Sequence, residues 1–505
     1  MAELVLCTLN AKFLHASLGL RYLFANLGKL EGRAALREFD VNQPALEVVE
    51  ALLAEAPTLI GFGVYVWNVD ETLAVVRLLR AVAPAVVIVL GGPEVSHETE
   101  GQPLVALADH VIRGEADLAF AALCRQRLAS EVPAKVLDAP LPDVGALALP
   151  WDAYSDEDLA NRLLYVEASR GCPYRCEFCL SSLDEEVRPL PPERFFAAME
   201  RLLARGARSF KFIDRTFNLD VKQSLRILEF FHARLSPGLF LHFELVPDRL
   251  PAPLREVIRR FPEGALQFEV GVQTLNPEVE QRISRRQDHA KLEDNLRFLR
   301  EQTHVHLHVD LIVGLPGEDR ASFARGFDAL VKLRPHEIQV GLLKRLKGTP
   351  LARREVTHGL VFSPLPPFEV LRTAVLSFDE VNALRRFART WDTFGNSGHF
   401  ASTLRRVLDA APSAFGVVWQ LSGWLRQQGV AGTGVALTRR FRLLFTFLTE
   451  QLGWDRAEAA RSLFEDYQRA GKTDRPSWLA SLPDAALAEA VRVDFAARQA
   501  RHRGA

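Results

Sequence analysis

The chain is short of cysteine, of long apolar runs and of net charge, and each shortage removes a class of protein. Only five cysteines are spread over 505 residues, too few for a disulfide framework. No apolar stretch approaches the roughly 20 residues that cross a bilayer. MAELVLCTLNAKF also lacks the basic-then-apolar order of a secretory leader. The expected location is therefore cytoplasmic, with no membrane contact. The 62 basic and 63 acidic side chains leave a net charge of −1, so no global field draws the chain to nucleic acid or anionic lipid. No internal repeat or low-complexity segment stands out.

What is present is an ordinary globular balance, 48% apolar and 25% charged, in a chain too long for one core. Residues 1–132 alternate β-branched runs such as ELVLCTL, TLIGFGV and AVVIVLGG with amphipathic stretches such as DETLAVVRLLRAVA. That order predicts an α/β fold with a doubly wound parallel sheet. Residues 133–160, opening with PAKVLDAPLPDVGALALP, are proline-rich and aperiodic, as a linker would be. Over 161–350 a second series runs LLYVEAS, SFKFIDR, LFLHFEL, ALQFEVGVQ, VHLHVDLIVGLP and EIQVGLL with helices between. About six repeats fall short of the eight that close a barrel, so a partial (β/α)6 barrel is expected. Within 351–505, strand signals vanish after SPLPPF at Ser363–Phe368, and period-3.6 segments such as TLRRVLDAA predict a helical domain with a frayed basic tail, RQARHRGA.

Three of the five cysteines crowd into eight residues, Cys172, Cys176 and Cys179, directly after the first strand of the second series. Such crowding points to a metal site. Three thiolates can hold three irons of a cubane and leave the fourth open. A structural zinc site would want a fourth Cys or His, and His232 and His242 are far off in sequence. Cys7 and Cys124, inside a strand and a helix, read as buried small hydrophobes.

The segment EASRGCPYRCEFCL, with Phe178 before the last cysteine, resembles the signature of radical S-adenosylmethionine (SAM) enzymes. The resemblance implies a [4Fe-4S] cluster on Cys172, Cys176 and Cys179, SAM chelated at the open iron, Phe178 near the adenine, and reductive cleavage to a 5′-deoxyadenosyl radical. It also implies an electron donor such as flavodoxin or ferredoxin. KFIDRTFN resembles the family's second-strand motif, with Asp214 and Asn218 at its exit, and HFELVPD offers Glu244 at the third strand. By the same resemblance Glu269 and Gln273 contact the methionyl and ribose groups and Arg286 pairs with the carboxylate, a match of planar groups. Gly314 and Gly317 in DLIVGLPGED would admit the adenine edge. Taken singly, each of these polar residues also fits a solvated strand end.

At the carboxyl edge of the first sheet, TLNAKFLHAS, VYVWN, GGPEVS and RGEAD resemble the cobalamin-binding domain that precedes the barrel in one subclass of this family. The implied contacts are Thr8, Asn10, Ser17, Tyr65, Trp67, Gly91, Gly92, Glu94, Val95, Gly114 and Glu115. The cobalt-binding D-x-H-x-x-G motif is absent; His15 lies in the corresponding loop with Phe13 where the acid would be. The resemblance then implies base-off cobalamin with Tyr65 or Trp67 beside the corrin. Ordinary interface aromatics, or a sheet with no cofactor at all, are the alternatives.

WDTFGNSGHF at Trp391–Phe400 breaks the helical pattern and reads either as a cap over the barrel mouth or as a helix connection. Lys344, Lys347, Gly348, Thr349 and Pro350 end the barrel in a sequence familiar from the same subclass. The expected activity is methylation of an unactivated carbon. Rearrangement or cyclisation without methyl transfer, an electron-transfer or sensing protein that does not turn over SAM, and a zinc-stabilised binding module are the rivals. The substrate, whether small molecule, peptide or modified RNA, is not encoded in these motifs.

Overall fold

The computed structural model describes residues 1–184, 186–430, 434–472 and 474–479; the basic tail lies outside the described residues. The first sheet is parallel throughout and contains β1 (Leu4–Asn10), β2 (Ala34–Asp40), β3 (Leu59–Gly63), β4 (Val87–Gly91), β5 (His110–Arg113) and β6 (Val136–Asp138). Their order is β2-β1-β3-β4-β5-β6. The order reverses between β1 and β3, and in such sheets the ligand crevice lies beyond the carboxyl ends of the strands at that point. β6 comes from the proline-rich stretch expected as linker: its three residues pair with β5 although two of them are exposed, so hydrophobic patterning carries no trace of it.

The second sheet opens with β7 (Leu164–Val166). A two-residue antiparallel pair follows, β8 (Ser169–Arg170) with β9 (Arg188–Pro189), and it closes the cysteine loop at its base. Then come β10 (Ser209–Phe212), β11 (Phe240–Leu245), β12 (Leu266–Gln273), β13 (His306–Val313) and β14 (Glu337–Leu342). The parallel order β14-β13-β12-β11-β10-β7 leaves β14 and β7 as edges, so the barrel is open. Helices Pro192–Ala204, Val221–His232, Ala252–Arg259, His289–Gln302 and Arg320–Lys332 connect the strands. Asp220, Asp288 and Asp319 cap three of them through their carboxylates.

A short hairpin of β15 (Val361–Phe362) and β16 (Val370–Arg372) follows where strand signals had faded. Helices Phe378–Trp391, Ala401–Ala410, Ala414–Gln427, Leu437–Thr446 and Arg456–Arg469 complete the described chain. The barrel core runs on into Phe387, Trp391 and Phe415, while Phe400, Phe441 and Tyr467 belong to a separate helical core. Trp391–Phe400 does not cap the barrel mouth. Asn396 bonds both the N–H and the carbonyl of Ile338, at 3.1 and 3.0 Å, and Trp391 Nε1 donates to the same carbonyl at 2.9 Å. The loop thus satisfies backbone groups on the exposed edge strand β14, a position otherwise open to wrong pairing. Among the described residues no helix is long and apolar enough to cross a membrane.

Candidate active site

The cysteine loop hangs from the carboxyl end of β7. Gly171 has φ 91°, and a Cβ there would overlap the Glu186 carbonyl oxygen, so the turn requires glycine. Cys172 N–H donates to the Asp184 carbonyl at 2.9 Å, and Cys179 N–H to the Cys176 carbonyl at 3.0 Å. Glu177 anchors the loop from beneath. It is buried, accepts from Ser284 Oγ at 3.1 Å and pairs with Arg354 at 2.6 Å. Its backbone bonds Ile283 and Leu351. Sequence reasoning passed over Glu177 because a glutamate between two cysteines reads as a solvated loop residue.

Cys172 and Cys176 are buried and Cys179 is half-buried. Burial pushes the Cys172 and Cys176 thiols up, and the neighbouring thiols add to it. The Tyr174 N–H at Cys172 and the Arg285 guanidinium at Cys176 pull the other way. Among the described residues no three His, Cys, Asp or Glu side chains close on one ion-sized point. A cubane instead offers separate irons to separate sulfurs. The donor set fits it: three thiols on one loop, close enough to feel one another, with Arg285 Nη1 3.6 Å from Cys176 Sγ and Arg215 favouring charge on Cys172. Phe178 packs half-buried against the barrel core.

The barrel interior is polar. Glu269 on β12 accepts from Lys211 Nζ of β10 at 3.0 Å and contacts His242 Nε2 of β11 at 2.9 Å. Glu244 of β11 sits 3.4 Å from Arg215 and 3.9 Å from Lys211, and His308 lies 3.1 Å from Asp310 on β13. Burial alone would raise Glu269, yet the His242 contact and the Lys211 charge hold it well below the usual carboxylate range. Burial lowers His242 to about 4, so it stands neutral at pH 7. Gln273 closes the strand at φ 70°, beside a bulge after Gly271, a strained backbone of the kind found at ligand sites.

Other candidates are placed differently from expectation. Asp214 is buried and accepts from the Ala168 N–H at 2.9 Å and Ser169 Oγ at 2.7 Å. Its carboxylate therefore fastens the strand that feeds the cysteine loop, and burial raises its pKa to about 7. Arg286 is exposed; the guanidinium beside the cysteines is Arg285, which also bonds the Gly271 carbonyl and Gln287. Gly314 is buried at φ 93°, close under Val370 of β16. Thr274 Oγ1 donates at 2.6 Å to Glu318, which burial raises to about 7.

The carboxyl edge of the first sheet faces the barrel. A cavity of about 290 Å³ is lined by Gly63, Tyr65, Gly91, Gly92 and Gly114 on one side and by Glu167, Arg170 and Ile213 on the other. Gly92 has φ 102°, and a Cβ there would lie 2.5 Å from the Val64 carbonyl oxygen. Tyr65 and Trp67 stack with centroids 4.5 Å apart, and Trp67 is 44% exposed. Three expected contacts are taken up within the domain. Thr8 Oγ1 donates to the Gly63 carbonyl at 2.8 Å, Asn10 bonds the His15 carbonyl and Glu38, and Ser17 caps helix Leu18–Ala25. Val95 is fully buried. His15 Nδ1 meets the Tyr165 hydroxyl at 2.8 Å.

Glu94 and Glu115, expected on the cofactor loops, are turned to barrel cations. Glu94 pairs with Lys347 at 2.6 Å, and Glu115 with Arg170 at 2.8 Å and with Arg188. Asp117 adds a bond to Arg170 at 2.9 Å, and Arg345 reaches Glu98 at 2.8 Å. These bonds tie the first sheet's loops to the barrel, and those of Glu115 and Asp117 with Arg170 lie at the cavity itself.

Comparison with known proteins agrees with this architecture. The model of the Radical SAM superfamily matches residues 166–329, that of the B12 binding domain residues 5–124, and a family described as a protein of unknown function (DUF4080) residues 356–502. The cobalamin-dependent radical SAM methyltransferase TokK of Streptomyces tokunonensis is 24% identical over 88% of this chain and 69% of its own length. The 2-(S-pantetheinyl)-carbapenam-3-carboxylate methyltransferase of Streptantibioticus cattleyicolor is 25% identical over 61% of this chain, which spans only half of that relative. Among solved structures, the cobalamin-dependent SAM radical enzyme OxsB with aqua-cobalamin superposes with TM-score 0.62 at 14% identity, over 96% of this chain and 83% of OxsB. The radical SAM methyltransferase TsrM from Kitasatospora setae gives 0.57 at 18%, over 72% of this chain and 80% of TsrM. Likeness at that identity speaks to the fold. The chain thus carries a match to the B12 binding domain ahead of a match to the Radical SAM superfamily, in the order of its two sheets.

Proposed function

We propose that this protein is a cobalamin-dependent radical SAM methyltransferase acting on an unactivated carbon. The observation that carries the reading is the shared cavity: the carboxyl ends of both parallel sheets open on it, with the cysteine loop rising from the β7 end of the barrel. When bound, the cluster and SAM supply radical initiation and cobalamin supplies methyl transfer, while the protein contributes orientation and exclusion of water.

In this reading Cys172, Cys176 and Cys179 hold the cluster, and Arg285 offsets the charge of the Cys176 sulfur. Phe178 flanks the adenine, and Glu244, Glu269 and Gln273 line the space for SAM. Lys211 and His242 fix the Glu269 carboxylate in one ionised orientation. Asp214 acts at one remove, by positioning β7 and the loop beyond it. Around the corrin, Gly91, Gly92 and Gly114 admit close backbone approach, and the Tyr65–Trp67 stack supplies a flat apolar face. His15, engaged with Tyr165, stays off the cobalt. A flavodoxin or ferredoxin supplies the electron. The cytoplasm is the fitting compartment, since three cluster thiolates need reducing surroundings.

The test is anaerobic reconstitution followed by dithionite reduction with SAM. Formation of 5′-deoxyadenosine, with a product heavier by one methyl group once a substrate is supplied, is the expected result. A fully loaded cluster that yields no 5′-deoxyadenosine would refute the reading.

A further inference from the structure

We propose that the C-terminal helical region contains an anion pocket that binds a phosphate group of the substrate, built on Arg386, Arg389 and Arg426. Arg386 and Arg389 lie one turn apart on helix Phe378–Trp391, with Thr390 beside them. Ser422 and Arg426 lie one turn apart on helix Ala414–Gln427. The two faces meet across a cavity of about 390 Å³ that all five residues line.

Four arginines line the cavity, Arg440 on helix Leu437–Thr446 being the fourth with its Nε given to the Val435 carbonyl, and among the described residues none of the four has a carboxylate ion pair. The adjacent Arg385, by contrast, is paired with Glu369 at 2.9 Å. Asp379 favours the charge on Arg386, and Asp392 and Glu369 line the next cavity together with Arg389. Arg386 is held below the ordinary arginine range by burial and then by the charge of Arg426. Like charges kept together in this way are stabilised by a dianion that takes forked donors from both. The hydroxyls of Thr390 and Ser422 are at hand for its remaining oxygens.

The surroundings narrow the ligand further. Phe394, Leu425 and Leu443 form the apolar wall of the same cavity, so the group joined to the phosphate is apolar. Arg389 and Thr393 also line a cavity of about 330 Å³ that reaches Gly341, Leu342 and Lys344 at the carboxyl end of β14. The two cavities thus adjoin at Arg389 and Thr393, and the second lies between the arginines and the rim of the barrel. The ligand class is therefore a phosphate ester with an apolar portion, anchored in the helical region and extending toward the barrel. That the phosphate belongs to the substrate rests on the barrel being the reaction chamber; the affinity of the pocket for phosphate does not.

Titration calorimetry on the reconstituted full-length protein, at constant ionic strength, tests the pocket with phenyl phosphate, inorganic pyrophosphate and benzoate. One saturable site for phenyl phosphate and pyrophosphate is expected, at least tenfold weaker in the double variant R386Q/R426Q and unchanged in R439Q, an exposed arginine outside the cavity. Benzoate should bind at least tenfold more weakly than phenyl phosphate. The single variant R426Q, at an exposed position, should show an intermediate loss and guards against misfolding of the pair. Absence of saturable binding, an affinity unmoved in R426Q and R386Q/R426Q, or benzoate binding as tightly as phenyl phosphate would each overturn the proposal. Measuring 5′-deoxyadenosine formation by the unaltered protein in parallel separates the two readings. Turnover without phosphate binding removes the pocket alone, and phosphate binding without turnover removes the radical chemistry alone.

Discussion

Two six-stranded parallel sheets in this chain solve the same packing problem in opposite ways. In the first, β1 reads LVLCTLN and is buried at every position, and β3 and β4 are apolar on both faces, as expected for a sheet covered by helices on both sides. In the second, β11 reads FLHFEL, β12 LQFEVGVQ and β13 HLHVDLIV. Leu241, Phe243, Phe268, Val270, Leu307 and Val309 are buried in the core, while Lys211, His242, Glu269 and His308 lie on the opposite face. A parallel strand that alternates has one face on a polar chamber. The first sheet can therefore offer a ligand only its strand ends, where Gly63, Gly91 and Gly92 lie, whereas the second offers its interior.

The sharpest way to separate the two regions is to disable one and read the other. Cys176→Ala should abolish 5′-deoxyadenosine formation and cut iron content, while corrin retention after gel filtration stays near the unaltered level. The reverse is expected of Gly92→Ala. Its Cβ would press on the Val64 carbonyl in a backbone region that costs about 1–3 kcal/mol for other residues. Corrin retention and melting temperature should fall while iron content holds.

A smaller effect probes how the barrel strand is tied down. Asp214 titrates at about 7 when folded against roughly 3.9 when unfolded. Between those values the folded state holds a proton that the unfolded chain has released, so stability declines as pH rises from about 4 to about 7 and levels off above. Asp214→Asn should flatten that stretch of the curve in denaturant titrations at successive pH values. An unchanged slope would show that Asp214 ionises normally. The smallest effect is expected of Arg286→Gln, within about 0.5 kcal/mol of the unaltered stability and with SAM cleavage intact. Arg285→Gln should impair cluster assembly, as judged by iron content. Equal effects from the two would mean that the inward guanidinium has been misassigned.

Much of this was legible from residue order alone. Both strand series, the open barrel and the grouping of the cysteines followed from periodicity and spacing. Contacts across domains were not, because Glu94 and Lys347, or Glu115 and Arg170, are separated by 253 and 55 residues and nothing local marks one for the other. Arg285 and Arg286 differ by one step in a turn, and only the backbone settles which points inward. Asp214 looks like a ligand group in the sequence because its partners, the Ala168 N–H and the Ser169 hydroxyl, lie 46 and 45 residues away and nothing local marks them. The alternation in β11 to β13 was on view throughout and marks the polar interior more directly than any single motif.

Electron paramagnetic resonance of the dithionite-reduced protein, recorded with and without SAM, bears most directly on a cluster held by three thiolates with one iron left open. The signal of the reduced cluster should change when SAM is added, because SAM enters the coordination of that iron. A spectrum that SAM leaves unaltered, in protein with full iron and sulfide content, would mean that the fourth position is already closed.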